Sequence, residues 1–287
     1  MTTSLEVSID RQDRRPAALK PGFRRTMRLG WSRTIVEVKD IIRDPQSGFF
    51  LLLLPVLLLV FFGSIFDNEI EGTGVNIRQY FVAGIIASSI VGTTFSNLAI
   101  GIAVQRHSGV LKRLGGTPLP KASYFIGRIG SAAFVTVFQV IVMLAIGVLL
   151  FDVDLPSGLT QWLRLVWVIV LGVAVGCTLG LAYSGFIPSA KAAPAMTQPP
   201  YLILQFISGV FFVFTDLPGW MQNVATVFPL RWMAQGLRSV FLPEEFGMAE
   251  AGQSWQLEWV AGALLIWLAA GTLLALRGFR WTDERGG

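Results

Sequence analysis

The sequence has little charge and very few residues suited to redox or metal chemistry. Only 14% of its 287 residues are charged, whereas 53% are hydrophobic; in soluble domains the charged share is roughly 25%. It contains one cysteine, Cys177, and one histidine, His107. No intrachain disulfide can form, and no metal site is expected. A membrane is therefore the expected solvent for most of the chain.

Several functional signatures are also absent. The phosphate-binding motif G-x-x-x-x-G-K-[ST] does not occur, so the chain is not expected to hydrolyse ATP itself. Acidic residues fall in predicted loops or at the ends of apolar segments, whereas ion-coupled carriers keep ionisable groups near mid-membrane. No cluster of catalytic residues is present, and no enzyme is predicted. The first 46 residues hold ten Lys and Arg and no apolar run, so no cleaved secretory signal is expected.

Long apolar segments predict an all-α polytopic membrane protein, because each is close to the roughly 20 residues that cross the hydrocarbon core. The six expected spans are 47–66, 79–104, 130–150, 163–183, 192–214 and 259–276. The fifth reaches this length only by crossing Pro199 and Pro200, so a kinked or irregular helix is expected there. In the fourth, glycines at 172, 176 and 180 predict close helix packing.

The segments outside the spans have distinct compositions. Residues 1–22 are polar and are expected to form a disordered cytoplasmic tail, followed by a transporter domain at 23–281 and a second cytoplasmic tail at 282–287. Residues 23–43 predict an amphipathic helix on the membrane surface, with a soluble partner as the alternative neighbour. Its apolar stripe comprises Met27, Trp31, Ile35, Val38 and Ile42.

The segment 215–242 is apolar, but Pro218 and Pro229 each restart it, which predicts two short helices rather than a span. With six spans, the tails and two loops on one side hold 19 of the 23 Lys and Arg. The positive-inside rule then places both termini in the cytoplasm. The expected location is the cell membrane, in contact with lipid and not with nucleic acid.

Two groups of motifs resemble a known family. Residues 109–118 read G-V-L-K-R-L-G-G-T-P after the second span. After the fifth come S-G-V-F-F at 208–212, L-P-G-W at 217–220, F-P-L at 228–230 and G-L-R at 236–238. Their order and spacing resemble type-2 ABC exporter permeases, the daunorubicin-resistance-like branch in particular. His107 and Val110 depart from the Glu and Thr common in that family. By charge alone, the first loop is equally compatible with a simple positive-inside loop.

The resemblance implies a permease that dimerises with an identical or sister chain and docks a separate ATP-binding subunit. ATP and Mg would be bound by that subunit, and no cofactor by this chain. The implied contact with the ATPase comprises His107, Gly109, Leu111, Lys112, Arg113, Thr117 and Pro118. The segment 215–242 would be a re-entrant helical pair acting as an outer gate, with Pro218, Trp220, Phe228, Pro229 and Trp232. An aromatic belt at the membrane interface without a gating role is the alternative.

The implied substrate path follows the second and fifth spans. Its candidate residues are Ser89, Thr93, Asn97, Phe206, Phe211 and Phe212, although each is equally compatible with helix packing. This mixture suits an amphipathic drug, lipid or lipid-linked glycan. The predicted function is therefore ATP-driven export. A membrane scaffold or assembly factor on the same fold, and an ion-coupled secondary carrier, are the alternatives.

Overall fold

A computed structural model of the chain describes residues 22–66, 68–70 and 73–278. The α-helices of this part are α1 Phe23–Arg43, α2 Pro45–Ile65, α3 Ile77–Val91, α4 Leu98–His107, α5 Val110–Gly115, α6 Lys121–Phe151, α7 Leu159–Ser184, α8 Ala192–Ile207, α9 Gly219–Val227, α10 Pro229–Phe241 and α11 Leu257–Gly278. These described ranges contain no β-strand, only an isolated bridge between Glu69 and Asn76. Apart from Gly22, the predicted tails at 1–22 and 282–287 lie outside the described residues.

Four helical segments are long and apolar enough to cross a membrane, in keeping with an all-helical polytopic membrane protein. They are Ile77–His107, Ala122–Phe151, Leu159–Ser184 and Leu257–Gly278. A shorter apolar segment, Leu51–Ile65, belongs to α2. The 16 residues of α8 extend over about 24 Å, which is less than the roughly 30 Å hydrocarbon core.

The helix Ile77–His107 lies at the centre of the protein. A π-helical segment, Gly92–Asn97, joins α3 to α4 without interrupting it. Such π-helical turns are rare and frequently occur at functional sites. The predicted glycine stripe of α7 packs here: a Cβ at Gly180 would lie 2.8 Å from the carbonyl oxygen of Thr94 and 2.9 Å from that of Phe95. Only glycine permits this approach.

Two helices continue through internal prolines because side chains of neighbouring helices bond the freed carbonyl groups. Pro55 of α2 has no N–H to donate to the Leu51 carbonyl, four residues earlier. The buried amide of Gln139 donates to that oxygen at 3.3 Å instead. In α8, the Met196 carbonyl lies four residues before Pro200, and the Tyr183 hydroxyl donates to it at 2.8 Å.

The helix of the fifth predicted span is shorter than the sequence indicated. It begins at Ala192, as expected, but ends at Ile207 rather than near 214. Gly209 has a φ of +72°, a left-handed conformation that does not continue a helix. The chain then turns into α9 and α10, so the two short helices predicted within 215–242 are both present.

Helix α1 packs on the first half of α6 through small and polar residues. A Cβ at Gly30 would lie 2.6 Å from the Ile126 side chain, and Thr34 and Glu37 are also buried on this face. The predicted apolar stripe points elsewhere, with Trp31 66% exposed and Ile42 68% exposed. The surface that α1 leaves uncovered therefore includes most of its hydrophobic stripe.

Candidate transport groove and coupling surface

A groove of about 450 Å³ opens between α2, the π-helical segment, α6 and α8. Its wall is unusually polar for an apolar protein. The polar residues that line it are Gln46, Ser89, Thr93, Ser96, Asn97, Gln139, Gln198 and Tyr201. We call this cavity the polar groove.

An apolar cavity of about 470 Å³ adjoins the polar groove and shares Leu54, Gln198 and Tyr201 with it. Its phenylalanines are Phe62, Phe206, Phe211 and Phe212. Phe211 is buried and stacks on Phe62 with ring centroids 5.2 Å apart. We call this cavity the phenylalanine pocket. The two cavities together offer an apolar surface beside a hydrogen-bonding one.

All six predicted path residues line these two cavities, three in each. The Thr93 hydroxyl donates to the Gln139 side chain at 2.8 Å, and the Ser89 hydroxyl donates to the Ile86 carbonyl, also at 2.8 Å. Asn97 is exposed at the groove. Of these three, Asn97 is therefore the side chain best placed to meet a ligand directly.

Five polar residues of the groove wall were not among the six predicted path residues: Gln46, Ser96, Gln139, Gln198 and Tyr201. Tyr201 is held by α3, because its hydroxyl donates to the Ser88 carbonyl at 2.8 Å. The available signal was a glutamine inside an apolar span, as at Gln139. A polar side chain there needs a partner in the protein or faces a cavity.

The loop after α4 forms an exposed basic surface around one buried residue. Gly109 has a φ of +74° and opens the short helix α5. Leu111, one of the implied contact residues, is fully buried within the chain. The side chains of Lys112, Arg113, Thr117 and Pro118 are exposed. This arrangement offers two cations to a partner while Leu111 holds the helix in place.

The same loop is tied to the connection between α7 and α8. The Arg106 guanidinium donates to the Ile187 carbonyl at 2.6 Å. Nε2 of His107 lies 2.8 Å from the Pro188 carbonyl, and Nδ1 lies 2.8 Å from the Ala103 carbonyl. His107 is therefore occupied within the chain. We call α5 and these two connected loops the coupling surface.

A buried ion pair organises the end of the protein opposite the coupling surface. The Arg238 side chain of α10 is fully buried, and its Nε donates to Glu250 at 2.5 Å. Its guanidinium lies 4.6 Å from the Tyr80 ring of α3. The Tyr80 hydroxyl accepts a hydrogen bond of 2.9 Å from the Phe214 N–H. Neither Tyr80 nor Glu250 was among the predicted site residues.

The predicted gate residues occupy different environments. Pro218 precedes α9 and Pro229 is the first residue of α10. Trp220 is 63% exposed, and Phe228 stacks on Trp267 with centroids 6.3 Å apart. Trp232 is buried, and its indole N–H donates to the Thr226 carbonyl at 2.8 Å. Trp232 therefore packs inside the protein, whereas Trp220 lies on its surface.

The family profile described as ABC-2 type transporter matches residues 31–242. The chain belongs to this family. The probable doxorubicin resistance ABC transporter permease protein DrrC of Mycobacterium tuberculosis is 25% identical over 277 residues, which cover 92% of this chain and 94% of DrrC. The inner membrane transport permease YadH of Escherichia coli is 25% identical over 212 residues, covering 72% and 81% of the two chains. The resemblance predicted from the two motif groups is confirmed.

As a member of this family, the chain is the permease subunit of a membrane transporter. The similar proteins are permeases rather than enzymes. Membership also implies an ABC ATP-binding subunit as partner.

Proposed function

We propose that the chain is the transmembrane subunit of an ATP-driven exporter that moves an amphipathic drug, lipid or lipid-linked glycan out of the cytoplasm or inner leaflet. The observation that carries this proposal is the polar groove joined to the phenylalanine pocket. A cargo with an apolar body and hydrogen-bonding groups finds both kinds of surface side by side. DrrC, named for doxorubicin resistance, gives independent support for an amphipathic cargo.

In this proposal two permease copies, or this chain and a sister chain, form a dimer that binds two ATPase subunits. ATP and Mg are held by the ATPase. Its closure on ATP pushes the coupling surface, and the helices carry the displacement to the groove. The exposed Lys112 and Arg113 are the residues proposed to pair with acidic groups of the ATPase.

The proposed topology has six spans with both termini in the cytoplasm. Besides the four long apolar helices, the two further spans of this topology are α2 and α8. Because α8 is short, the irregular residues 208–213 are proposed to complete its crossing. Helices α9 and α10 are proposed to dip into the outer leaflet and return. The apolar stripe of α1 is proposed to lie on the inner leaflet; Met27, Trp31, Ile35 and Ile42 are exposed, and Val38 is half-buried.

Cargo-dependent ATP hydrolysis tests the function. The permease is reconstituted with its ATP-binding partner in proteoliposomes, and hydrolysis is measured while amphipathic drugs and lipids are added. We expect stimulation that weakens when Phe212, half-exposed in the phenylalanine pocket, is replaced by serine. Phe61→Ser, at an exposed phenylalanine of α2 that is not among the lining residues of either cavity, is the matched control. A scaffold would show no stimulation by any cargo, and a secondary carrier would transport on an ion gradient without ATP.

Charge reversal tests the coupling surface separately. Lys112→Glu combined with Arg113→Glu should reduce co-purification of the ATPase, because both side chains are exposed and contribute little to folding. Arg277→Glu, at an exposed position near the end of α11, is the control. Unchanged co-purification in the double variant would remove these residues from the contact.

Single cysteines test the topology. In a Cys177→Ala background, we expect cysteines at Asn68 and Glu245 to react with an impermeant thiol reagent from outside, and one at His107 from inside. The Cys177 thiol is fully buried, so it should react little with the reagent, and Cys177→Ala removes any remaining background labelling. Labelling of positions 107 and 245 from the same side would exclude the re-entrant arrangement of α9 and α10.

A further inference from the structure

A third cavity extends the polar groove towards α1 and the start of α6. It has a volume of about 170 Å³ and shares Leu51, Thr93 and Asn97 with the groove. Its other lining residues include Arg128 and Ser131 of α6. At roughly 30 Å³ per water molecule, this space corresponds to five or six waters. It is large enough for a small polar group but not for a drug-sized body.

The charges around this third cavity are unbalanced. Nη1 of Arg128 donates to Glu37 at 2.9 Å, and the same carboxylate accepts from Arg33 at 3.2 Å and from the Ser131 hydroxyl at 3.1 Å. Two guanidinium groups therefore share one carboxylate. Glu37 is buried, and the Arg128 side chain is only 15% exposed. The cluster carries a net positive charge in a poorly hydrated place.

Arg128 also has unused hydrogen-bonding capacity. Its Nε atom is buried and has no hydrogen-bond partner within the described part of the chain. A buried N–H group without a partner is costly, and a guanidinium carries donors in a planar fork that matches carboxylate and phosphate oxygens. Glu37 is shared with Arg33 and Ser131, and its bond with Arg128 is to Nη1 rather than to Nε. An anion in the adjoining cavity would balance the excess positive charge, and Arg128, which bonds Glu37 through Nη1, has further guanidinium N–H groups to offer it.

We propose that this third cavity binds the anionic end group, a phosphate or a carboxylate, of an amphipathic cargo whose body lies in the adjoining groove. The walls then change in order from phenylalanines, through amides and hydroxyls, to Arg128. This inference rests on the proposed export of an amphipathic cargo and specifies its charge. It assigns Arg128 as the residue that recognises the anion.

Paired ligands that differ only in their charge test this assignment in the purified permease. Native mass spectrometry compares dioleoyl phosphatidic acid with diolein, and oleic acid with methyl oleate. We expect the anionic member of at least one pair to bind at least about tenfold more tightly than the neutral member, because it forms charge-assisted hydrogen bonds. Preference in the first pair alone indicates a phospholipid source, and preference in both indicates any amphipathic anion. Equal binding within both pairs would overturn the proposal.

Variants locate the site and separate recognition from a structural role. Arg128→Gln should abolish the preference, whereas Arg43→Gln, at an exposed arginine of α1, should retain it. Glu37→Gln should strengthen anion binding several-fold, since it removes the competing carboxylate. A purely structural Arg128 would give no gain with Glu37→Gln, and that result would refute the assignment.

Folding and the proposed function have separate controls. If Arg128→Gln does not fold, the double variant Arg128→Gln with Glu37→Gln replaces it, because it removes both charges. This variant should also bind anionic and neutral ligands equally. A retained preference for the anionic ligand would refute the assignment. Stimulation of ATP hydrolysis by neutral amphipathic cargo alone would leave export standing while the anion site fails. Absence of stimulation by any cargo would instead remove the export proposal.

Discussion

Replacement of Glu250 by glutamine should destabilise the protein far more than is usual for a charged residue in a loop. The carboxylate lies 2.5 Å from Nε and 3.3 Å from Nη2 of Arg238, and both side chains are almost completely buried. Glutamine can accept through one oxygen only and carries no charge, so Arg238 loses its counter-ion and keeps neutral contacts, including the Gly209 carbonyl at 3.4 Å and the face of the Tyr80 ring. Removing one partner of a buried pair typically costs about 3–5 kcal/mol.

An exposed ion pair in the same protein provides a matched control. Nη1 of Arg164 lies 2.6 Å from Glu244, so the bond is as short as the buried one, but the Glu244 side chain is 61% exposed. Water solvates that carboxylate before and after the change. Glu244→Gln should therefore cost less than about 1 kcal/mol. The difference between the two substitutions isolates the effect of burial.

The assay is the free energy of unfolding in mixed micelles, titrated with sodium dodecyl sulfate and followed by circular dichroism. A third variant, Arg238→Met with Glu250→Leu, removes both charges and should recover most of the loss, because well-packed apolar residues replace buried pairs at little cost. If Glu250→Gln costs no more than Glu244→Gln, the pair is not desolvated and the reasoning is refuted.

Two further predictions concern close packing and the prolines. Gly180→Ala should cost about 1–3 kcal/mol, because its Cβ meets backbone carbonyls of the π-helical segment. Gly262→Ala is the control: a Cβ there has no atom within 4 Å, so this change should stabilise the protein by up to about 1 kcal/mol in the same titration. Equal effects of the two substitutions would contradict the packing argument. Gln139→Leu should cost about 1–3 kcal/mol by leaving a carbonyl unpaired. Pro55→Ala restores an N–H for that carbonyl. The double variant Pro55→Ala with Gln139→Leu should therefore lose less stability than Gln139→Leu alone.

Features encoded by neighbouring residues could be predicted from the sequence. The helix at 23–43 begins and ends within the predicted range, and the two short helices of 215–242 begin at Pro218 and Pro229 or directly after them. The basic loop was recognised from ten consecutive residues. In each case the information lies in composition, periodicity or proline placement over one or two helical turns.

Features that depend on distant contacts could not be predicted. The pairing of Arg238 with Glu250 requires a turn between them whose path the sequence does not specify. The burial of Trp232 depends on how α10 packs on neighbouring segments, including the Thr226 carbonyl of α9. The early end of α8 depends on the left-handed Gly209, which sits against Phe214 and Tyr80. The polar groove was predicted only in part. Gln139 reaches it from the third predicted span, which was not assigned to the path, and Tyr201 is positioned by its hydrogen bond with Ser88 of another helix.

The helix Ile77–His107 connects the buried ion pair, the polar groove and the coupling surface. Near its first turn, Tyr80 contacts the buried Arg238 and bonds the Phe214 N–H. Its π-helical middle lines the polar groove, and its last turn contributes Arg106 and His107 to the coupling surface. A displacement of the coupling surface therefore acts on one end of an element whose other end is fixed by a buried ion pair. The π-helical turn between them is the least regular part of this helix, and it is the part that faces the groove.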